Sequence, residues 1–258
     1  MLETSWFDPV AFYIGPFAIR WYGLAYVSGF IAAFFFAKRY YFPAHQISHQ
    51  LLDPFMSSMI ISVIVGGRLG HILFYNLYQA IEDPMVIFKI WQGGMSFHGA
   101  LIGLTIGLFI FSSYHRLSFW VLSDFVCLVA PCGIFFGRLA NFINGELVGR
   151  VTDAWWAVVF PMVDQLPRHP SQLYEALFEG VFLGLLMWRL FRKTYAPGFI
   201  SGFFLCAYAV IRFCMEFFRM PECPYGCYFG LDMGQMLSIV MFMTGLMILL
   251  RKTQYQQH

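Results

Sequence analysis

Seven runs of about twenty apolar residues divide this chain, at roughly 17–37, 54–78, 98–114, 119–140, 172–191, 199–218 and 233–250. A helix needs about 20 such residues to cross a bilayer, and inside hydrocarbon only helices and closed barrels satisfy their own backbone hydrogen bonds. Barrel strands alternate apolar and polar residues over about ten positions. These runs are instead continuous and rich in Phe, Leu and Met, so the expectation is an all-α polytopic membrane protein with about seven transmembrane helices. Composition agrees, with 59% of 258 residues hydrophobic, 12% charged and a mean hydropathy of +0.65, values that exclude an ordinary soluble domain.

No internal repeat, low-complexity stretch or long linker interrupts the pattern, so residues 1–258 read as one integral membrane domain with a small cap at about 141–171. Glu3 and Asp8 stand where a cleaved signal peptide would carry basic residues, so the first helix is expected to stay in the mature protein. Lys38 and Arg39, Arg116, Arg189 with Arg192 and Lys193, and Arg251 with Lys252 flank alternate helix ends. The positive-inside rule then puts the N-terminus outside and the C-terminus in the cytoplasm. Ile81, Met85, Phe88 and Trp91 suit one side of a short interfacial helix, and Trp155 and Trp156 suit interfacial anchors. Cys127, Cys132, Cys206 and Cys214 are expected in core packing. Cys223 and Cys227 flank a turn on the outer side, where a local disulfide is an open alternative to two free thiols. The net charge of +2 gives no case for nucleic acid.

Charges at membrane depth cost a few kcal/mol on even the most lenient scale, which makes them candidate functional residues with partners to be sought. Arg138, Asn141, Asn144 and Glu146 stand in GRLANFINGELVG, at the end of an apolar run. In AYAVIRFCMEFFR, Tyr208, Arg212, Glu216 and Arg219 fall within less than a quarter of a helix circumference. Taken alone, Arg212 and Glu216 could be a bridge that only offsets its own burial. Gln172, Glu175 and Glu179 share a face of another helix, and Arg68 follows two glycines that permit close helix approach. On this topology Tyr22, Arg68, His98, Arg138 and Arg212 all lie in the outer leaflet. His98, in GGMSFHGA, reads either as a general base or as an interfacial structural residue.

No zinc-protease motif, Ser-His-Asp order, nucleotide loop or paired Cys-His spacing occurs, so no metal or cofactor is expected. The set reads as rich in cationic donors and poor in free carboxylates. Guanidinium groups bind phosphate through two parallel hydrogen bonds, and the nearest such ligand is a phospholipid.

FDPVAFYIGPFAIRWYGLAY, GGRLG with FYN, GGMSFHGALIG, GRLANFINGELVG, RHPSQLYE and YAVIRFCMEFFR with MGQMLS occur in that order. With these motifs the chain resembles the prolipoprotein diacylglyceryl transferases of the bacterial inner membrane, over nearly its whole length. The resemblance implies transfer of diacylglyceryl from phosphatidylglycerol to the lipobox cysteine of a prolipoprotein, with membrane lipids around it and a cap on the periplasmic side. It implies a thioether product and release of glycerol 1-phosphate. Carried over by position, it implicates His98, Arg138 and Arg212 in catalysis, the arginines as phosphate clamps. His98 is then the base for the thiol, or else part of a glycine-flanked loop that admits substrate. Tyr22, Asn141, Glu146, Gly149, Tyr208 and Glu216 would bind substrate or hold the arginines, and Arg68 joins them from the outer-leaflet cluster. The chain departs from the family where Ala100 follows Gly99, since the His motif often continues HGG. The rival reading is a transporter of a small anion or lipid, which requires polar residues continuing to the cytoplasmic face. Asp124 is the main one there.

Overall fold

The computed structural model describes residues 2–3, 8–89, 93–221 and 231–254. Trp91, Cys223 and Cys227 lie outside the described residues. Among the described residues five helices are long and apolar enough to cross a membrane: Trp21–Ala44, His49–Tyr75, Phe97–Tyr114, Phe119–Asn144 and Met233–Arg251. Phe199–Met215 is apolar but shorter, and residues 171–191 form one further helical run. Their surfaces carry Phe109, Ile110, Leu185 and Val240 exposed, as suits helices solvated by lipid rather than water.

The chain divides into two compact units. One spans Phe36–Ser123. It opens on a π-helical stretch, Ala37–Tyr41, that leads into the short helix α2 (Phe42–Ala44). Helix α3 (Leu52–Tyr75) then packs on α5 (Phe97–Tyr114). Gly66 and Gly70 face Gly99 and Gly103, and a Cβ on Gly66 would come within 2.5 Å of the Gly99 carbonyl oxygen. Of the two glycines before Arg68, Gly66 thus serves the expected close approach of helices, whereas a Cβ on Gly67 would meet the Met95 side chain at 2.7 Å. Phe42, Phe55 and Phe111 form an aromatic core in this unit. Ser96 caps α5, its Oγ accepting from the Gly99 N–H at 3.2 Å. Between α3 and α5 lie α4 (Leu77–Glu82) and a 3-10 turn, Pro84–Phe88, with Ile81, Met85 and Phe88 exposed.

The other unit comprises Met1–Phe35 and Asp124–His258. A hairpin of β2 (Val10–Ile14) and β3 (Phe17–Arg20) precedes α1 (Trp21–Phe36). Gly15 at φ +57° makes its turn. The first apolar run therefore begins as strand, not as helix from residue 17. Helix α6 (Phe119–Asn144) carries the GRLANFIN motif at its C-terminal end and approaches α1 at Gly29 and Gly133. Residues 171–191 run as α7 (Ser171–Glu175), a π-helical stretch Ala176–Phe182, and α8 (Leu183–Phe191). Helix α9 (Phe199–Met215) packs on α10 (Met233–Gln254) where Gly202 and Gly245 remove side chains from the contact. Asp124 lies buried and accepts from the Gly198 N–H, the Ser201 N–H and the Ser201 hydroxyl at 2.7, 2.7 and 2.6 Å. It caps the start of α9 from a neighbouring helix.

Between α6 and α7 the chain forms the cap. β4 (Val158–Val159) pairs antiparallel with β5 (Pro167–Arg168) and parallel with β1 (Leu2–Glu3). Val148, Val158 and Phe160 form its core, with Phe142 packed against them. One expectation fails: Cys127, Cys132 and Cys206 are only partly buried and Cys214 is exposed. An apolar run in a membrane helix marks lipid-facing positions as readily as core ones, so burial could not be read from hydropathy.

Candidate active site

Three helical elements bring their charges to one point. Arg138 projects from the last two turns of α6, Glu175 ends α7, Glu179 lies in the π-helical stretch that follows, and Tyr208 and Arg212 stand one turn apart on α9. Glu216 is the residue at which α9 ends. Arg138 Nη1 lies 2.9 Å from Glu175 Oε2, and Arg138 Nη2 lies 3.1 Å from Glu179 Oε2. Arg212 Nη1 lies 2.8 Å from Glu175 Oε1 and 3.8 Å from Glu179 Oε1, while its Nη2 lies 2.6 Å from Glu216 Oε2. The Tyr208 hydroxyl donates to Glu179 at 3.5 Å. Glu175 is therefore shared by both guanidinium groups.

Two arginines facing three carboxylates correct the expectation of excess cationic donors. Glu175 and Glu179 were visible as one helix face, but their pairing with Arg138 and Arg212 joins positions 33 to 41 residues apart, beyond any local pattern. Burial sorts the groups: the Glu175 and Glu179 side chains are 0% exposed, whereas those of Arg138 and Arg212 are 15% and 13% exposed. The carboxylates are the shielded members of the cluster and the arginine side chains the accessible ones. Gly180 permits this packing, since a Cβ there would reach 2.7 Å from the Cβ of Phe135 on α6. Gly234 does the same for Glu216, whose carboxylate oxygens would lie 2.9 Å from a Cβ at that position.

A second polar group lies in the same unit. The Tyr22 hydroxyl donates to Glu146 Oε2 at 3.0 Å and accepts from Asn141 Nδ2. Asn144 Nδ2 reaches Glu146 Oε1 at 3.4 Å. Gln172, fully buried and not among the expected site residues, donates from Nε2 to the Glu146 carbonyl at 2.6 Å. Gly145 and Leu147 both take positive φ, so the chain turns sharply around Glu146 and leaves its side chain exposed. Three of the expected residues, Tyr22, Asn141 and Glu146, thus form one hydrogen-bonded set.

Gly149 has a backbone explanation. A Cβ there would collide with the carbonyl oxygens of His169 and Phe218, because residue 149 bridges to Arg219 while its N–H bonds to His169. Nearby, Arg168 donates to the Gly149 carbonyl at 3.0 Å and grips Asp164 through both Nε and Nη2. These hydrogen bonds hold the Asp164 carboxyl below its usual pKa, and partial burial holds His169 below the usual histidine value.

Arg68 and His98 belong to the other unit. Arg68 is buried on α3, and all five of its N–H groups reach backbone carbonyls: Nε to Ile87 at 3.1 Å, Nη1 to Gly93 and Gly94 at 2.5 and 3.2 Å, and Nη2 to Val86 and to Lys89 at 3.2 Å. No donor is left to meet a phosphate. His98 is exposed in the first turn of α5, with its ring against Phe97. Among the described residues no group of three or more His, Cys, Asp or Glu could hold a metal ion.

A family profile described as prolipoprotein diacylglyceryl transferase matches residues 9–251. The chain belongs to the prolipoprotein diacylglyceryl transferase family. Among its relatives, a protein of Allorhizobium ampelinum is 47% identical over 251 residues, covering 93% of this chain and 88% of its own length. One of Mannheimia succiniciproducens is 44% identical over 242 residues, with coverage of 93% and 90%. One of Polynucleobacter necessarius is 44% identical over 254 residues, with coverage of 96% and 97%. Each is named phosphatidylglycerol–prolipoprotein diacylglyceryl transferase. The matched residues take in the two-arginine cluster, the Tyr22 set and His98.

Proposed function

We propose that this protein transfers the diacylglyceryl group of phosphatidylglycerol to the lipobox cysteine thiol of a prolipoprotein, with Arg138 and Arg212 clamping the lipid phosphate. Family membership supports the reaction, and one observation carries the residue roles. Two arginine side chains on apolar helices are paired with fully buried carboxylates and themselves remain partly exposed. Anchored cations of this kind suit a lipid phosphate, because fixed donors need no reorganisation as charge develops.

In the reaction the thiol loses its proton to a base, for which His98 is the candidate. The thiolate sulfur forms a bond to the glycerol carbon that carries the phosphate ester. The carbon–oxygen bond breaks, its electron pair stays on the phosphate oxygen, and glycerol 1-phosphate leaves. The phosphate passes from a singly charged diester to a monoester of higher charge, which Arg138 and Arg212 stabilise. Tyr22, Asn141 and Glu146 hold lipid or peptide at the edge of the site, and Tyr208 and Glu216 keep the arginines in place. The protein acts as a single transferase domain of the bacterial inner membrane with seven passes. Its N-terminus and active site lie on the periplasmic side, and the lipobox signal peptide reaches the site from within the bilayer.

Transport is the weaker reading. Asp124, the main polar residue expected on a path to the other face, is spent capping α9. The test is transfer of acyl-labelled diacylglyceryl to a lipobox peptide by the purified protein, beside Arg138→Ala, Arg212→Ala and His98→Gln. Wild-type transfer that falls roughly 100-fold or more in either arginine variant supports the clamp. Transfer that survives both arginine changes removes it, and wild-type activity retained by His98→Gln assigns His98 to the loop rather than to proton transfer.

A further inference from the structure

Glu175 and Glu179 take no part in the steps above, yet both are fully buried against the two arginines. We infer that Glu175, supported by Glu179, is a positioning residue for diacylglyceryl transfer: by ion-pairing with both guanidinium groups it makes Arg138 and Arg212 a single clamp. This rests on the transferase reading of the site.

Three observations carry it. A single carboxylate spans both arginines, with Oε2 at 2.9 Å from Arg138 and Oε1 at 2.8 Å from Arg212. The spacing of the two guanidinium groups is therefore set by one rigid group. Next, burial is graded: both carboxylates are 0% exposed and both arginines partly open. A network that served only to neutralise buried charge would have no reason to leave its cations, on two different helices, as the accessible members. Lastly, the π-helical stretch begins immediately after Glu175 and contains Glu179. Such wide turns shift the side chains that follow them and occur often at functional sites. Here one offers Glu179 to Arg138 at 3.1 Å and to Tyr208 at 3.5 Å. The groups around the pair are Arg138 on α6, Tyr208, Arg212 and Glu216 on or at the end of α9, and no other charged partner among the described residues.

The chemistry gives this arrangement a kinetic signature. Negative charge grows on the leaving phosphate only as the carbon–oxygen bond breaks, so exact spacing of the guanidinium groups matters more in the transition state than in the bound lipid complex. An interaction made mainly in the transition state lowers kcat and kcat/KM together and leaves KM nearly unchanged. Glutamine at position 175 keeps the volume but offers one acceptor oxygen and one amide donor, so it can hold only one of the two arginines.

The experiment compares wild type, Glu175→Gln and Glu179→Gln in the purified full chain, measuring kcat, KM for phosphatidylglycerol, KM for a lipobox peptide, and thermal unfolding. The expected result for Glu175→Gln is a fall in kcat of about tenfold or more, with both KM values within about threefold of wild type. Glu179→Gln falls less, because Arg138 keeps Glu175. An unchanged kcat in Glu175→Gln overturns the inference, as does a loss carried by the peptide KM. If neither variant folds, the pair serves stability alone and the inference also fails. An inactive wild type would instead sink the transferase reading, which separates the two failures.

Discussion

At the scale of single residues, the site is built by groups whose partners are distant in sequence. Arg138 and Arg212 were legible because a guanidinium in an apolar run has no bland surface explanation. Of their carboxylates Glu216 was assigned to the site, whereas Glu175 and Glu179 were not, because a spacing of three or four residues reveals a shared face but not what that face meets. Arg68 shows the same limit more sharply: its five partners are the backbone carbonyls of Val86, Ile87, Lys89, Gly93 and Gly94, which no side-chain pattern records. Arg68→Gln therefore leaves several carbonyls unpaired. It should raise the rate of hydrogen exchange in residues 84–89 and 93–94, while unchanged exchange there would contradict the hold of Arg68 on these carbonyls. Gly149→Ala forces a Cβ into two backbone carbonyls. It should destabilise the cap by about 1–3 kcal/mol, read as a lower melting temperature of the protein in detergent. In the cap, His169 has its pKa lowered by burial, so the folded state prefers the neutral ring. That stability is complete above the unfolded value of about 6.5 and is lost as pH falls below it. Asp164, held low by Arg168, adds a loss at more acidic pH, below the ordinary aspartate value. Cap unfolding followed by Trp155 and Trp156 fluorescence should therefore shift to lower temperature from pH 7 to 5, and less so in His169→Asn.

At the scale of elements, helix positions followed from the length of apolar runs, and the ends agree within a few residues for most. The hairpin at 10–20 was missed because Phe17–Arg20 continues the hydropathy of α1 without a break. Nor could the two π-helical stretches among the described residues be read, since AKRYY and ALFEGVF continue the apolar helical runs around them with no residue pattern that marks a wider turn. Glycines gave better guidance: Gly66 and Gly70 mark where α3 meets α5. A larger residue at Gly66 must push the helices apart, so Gly66→Leu should abolish the folded protein in detergent, and a normal melting transition would contradict the contact. Asp124 anchors α9, the helix that carries Arg212. Asp124→Ala should cost about 1–2 kcal/mol from the lost cap without removing any group from the arginine cluster, so the folded fraction should keep near-wild-type kcat.

For the whole molecule, the exposed Phe, Ile, Leu and Val of the helices and the sorted polarity of the cluster describe a protein whose chemistry is done beside lipid rather than in water. A substrate that is itself a lipid then needs no extraction into solvent, and on the proposed clamp its phosphate would meet cations already held in place. If the proposed reaction is right, the bond broken lies between the glycerol carbon and the phosphate oxygen. Phosphatidylglycerol labelled separately in an acyl chain and in the phosphate, with a lipobox peptide as acceptor, tests this. Acyl label should be found on the peptide thiol and phosphate label should be released as glycerol phosphate, in a one-to-one ratio. Phosphate label that travels with the acyl label onto the peptide, or lipid that is moved without being cleaved, would contradict it.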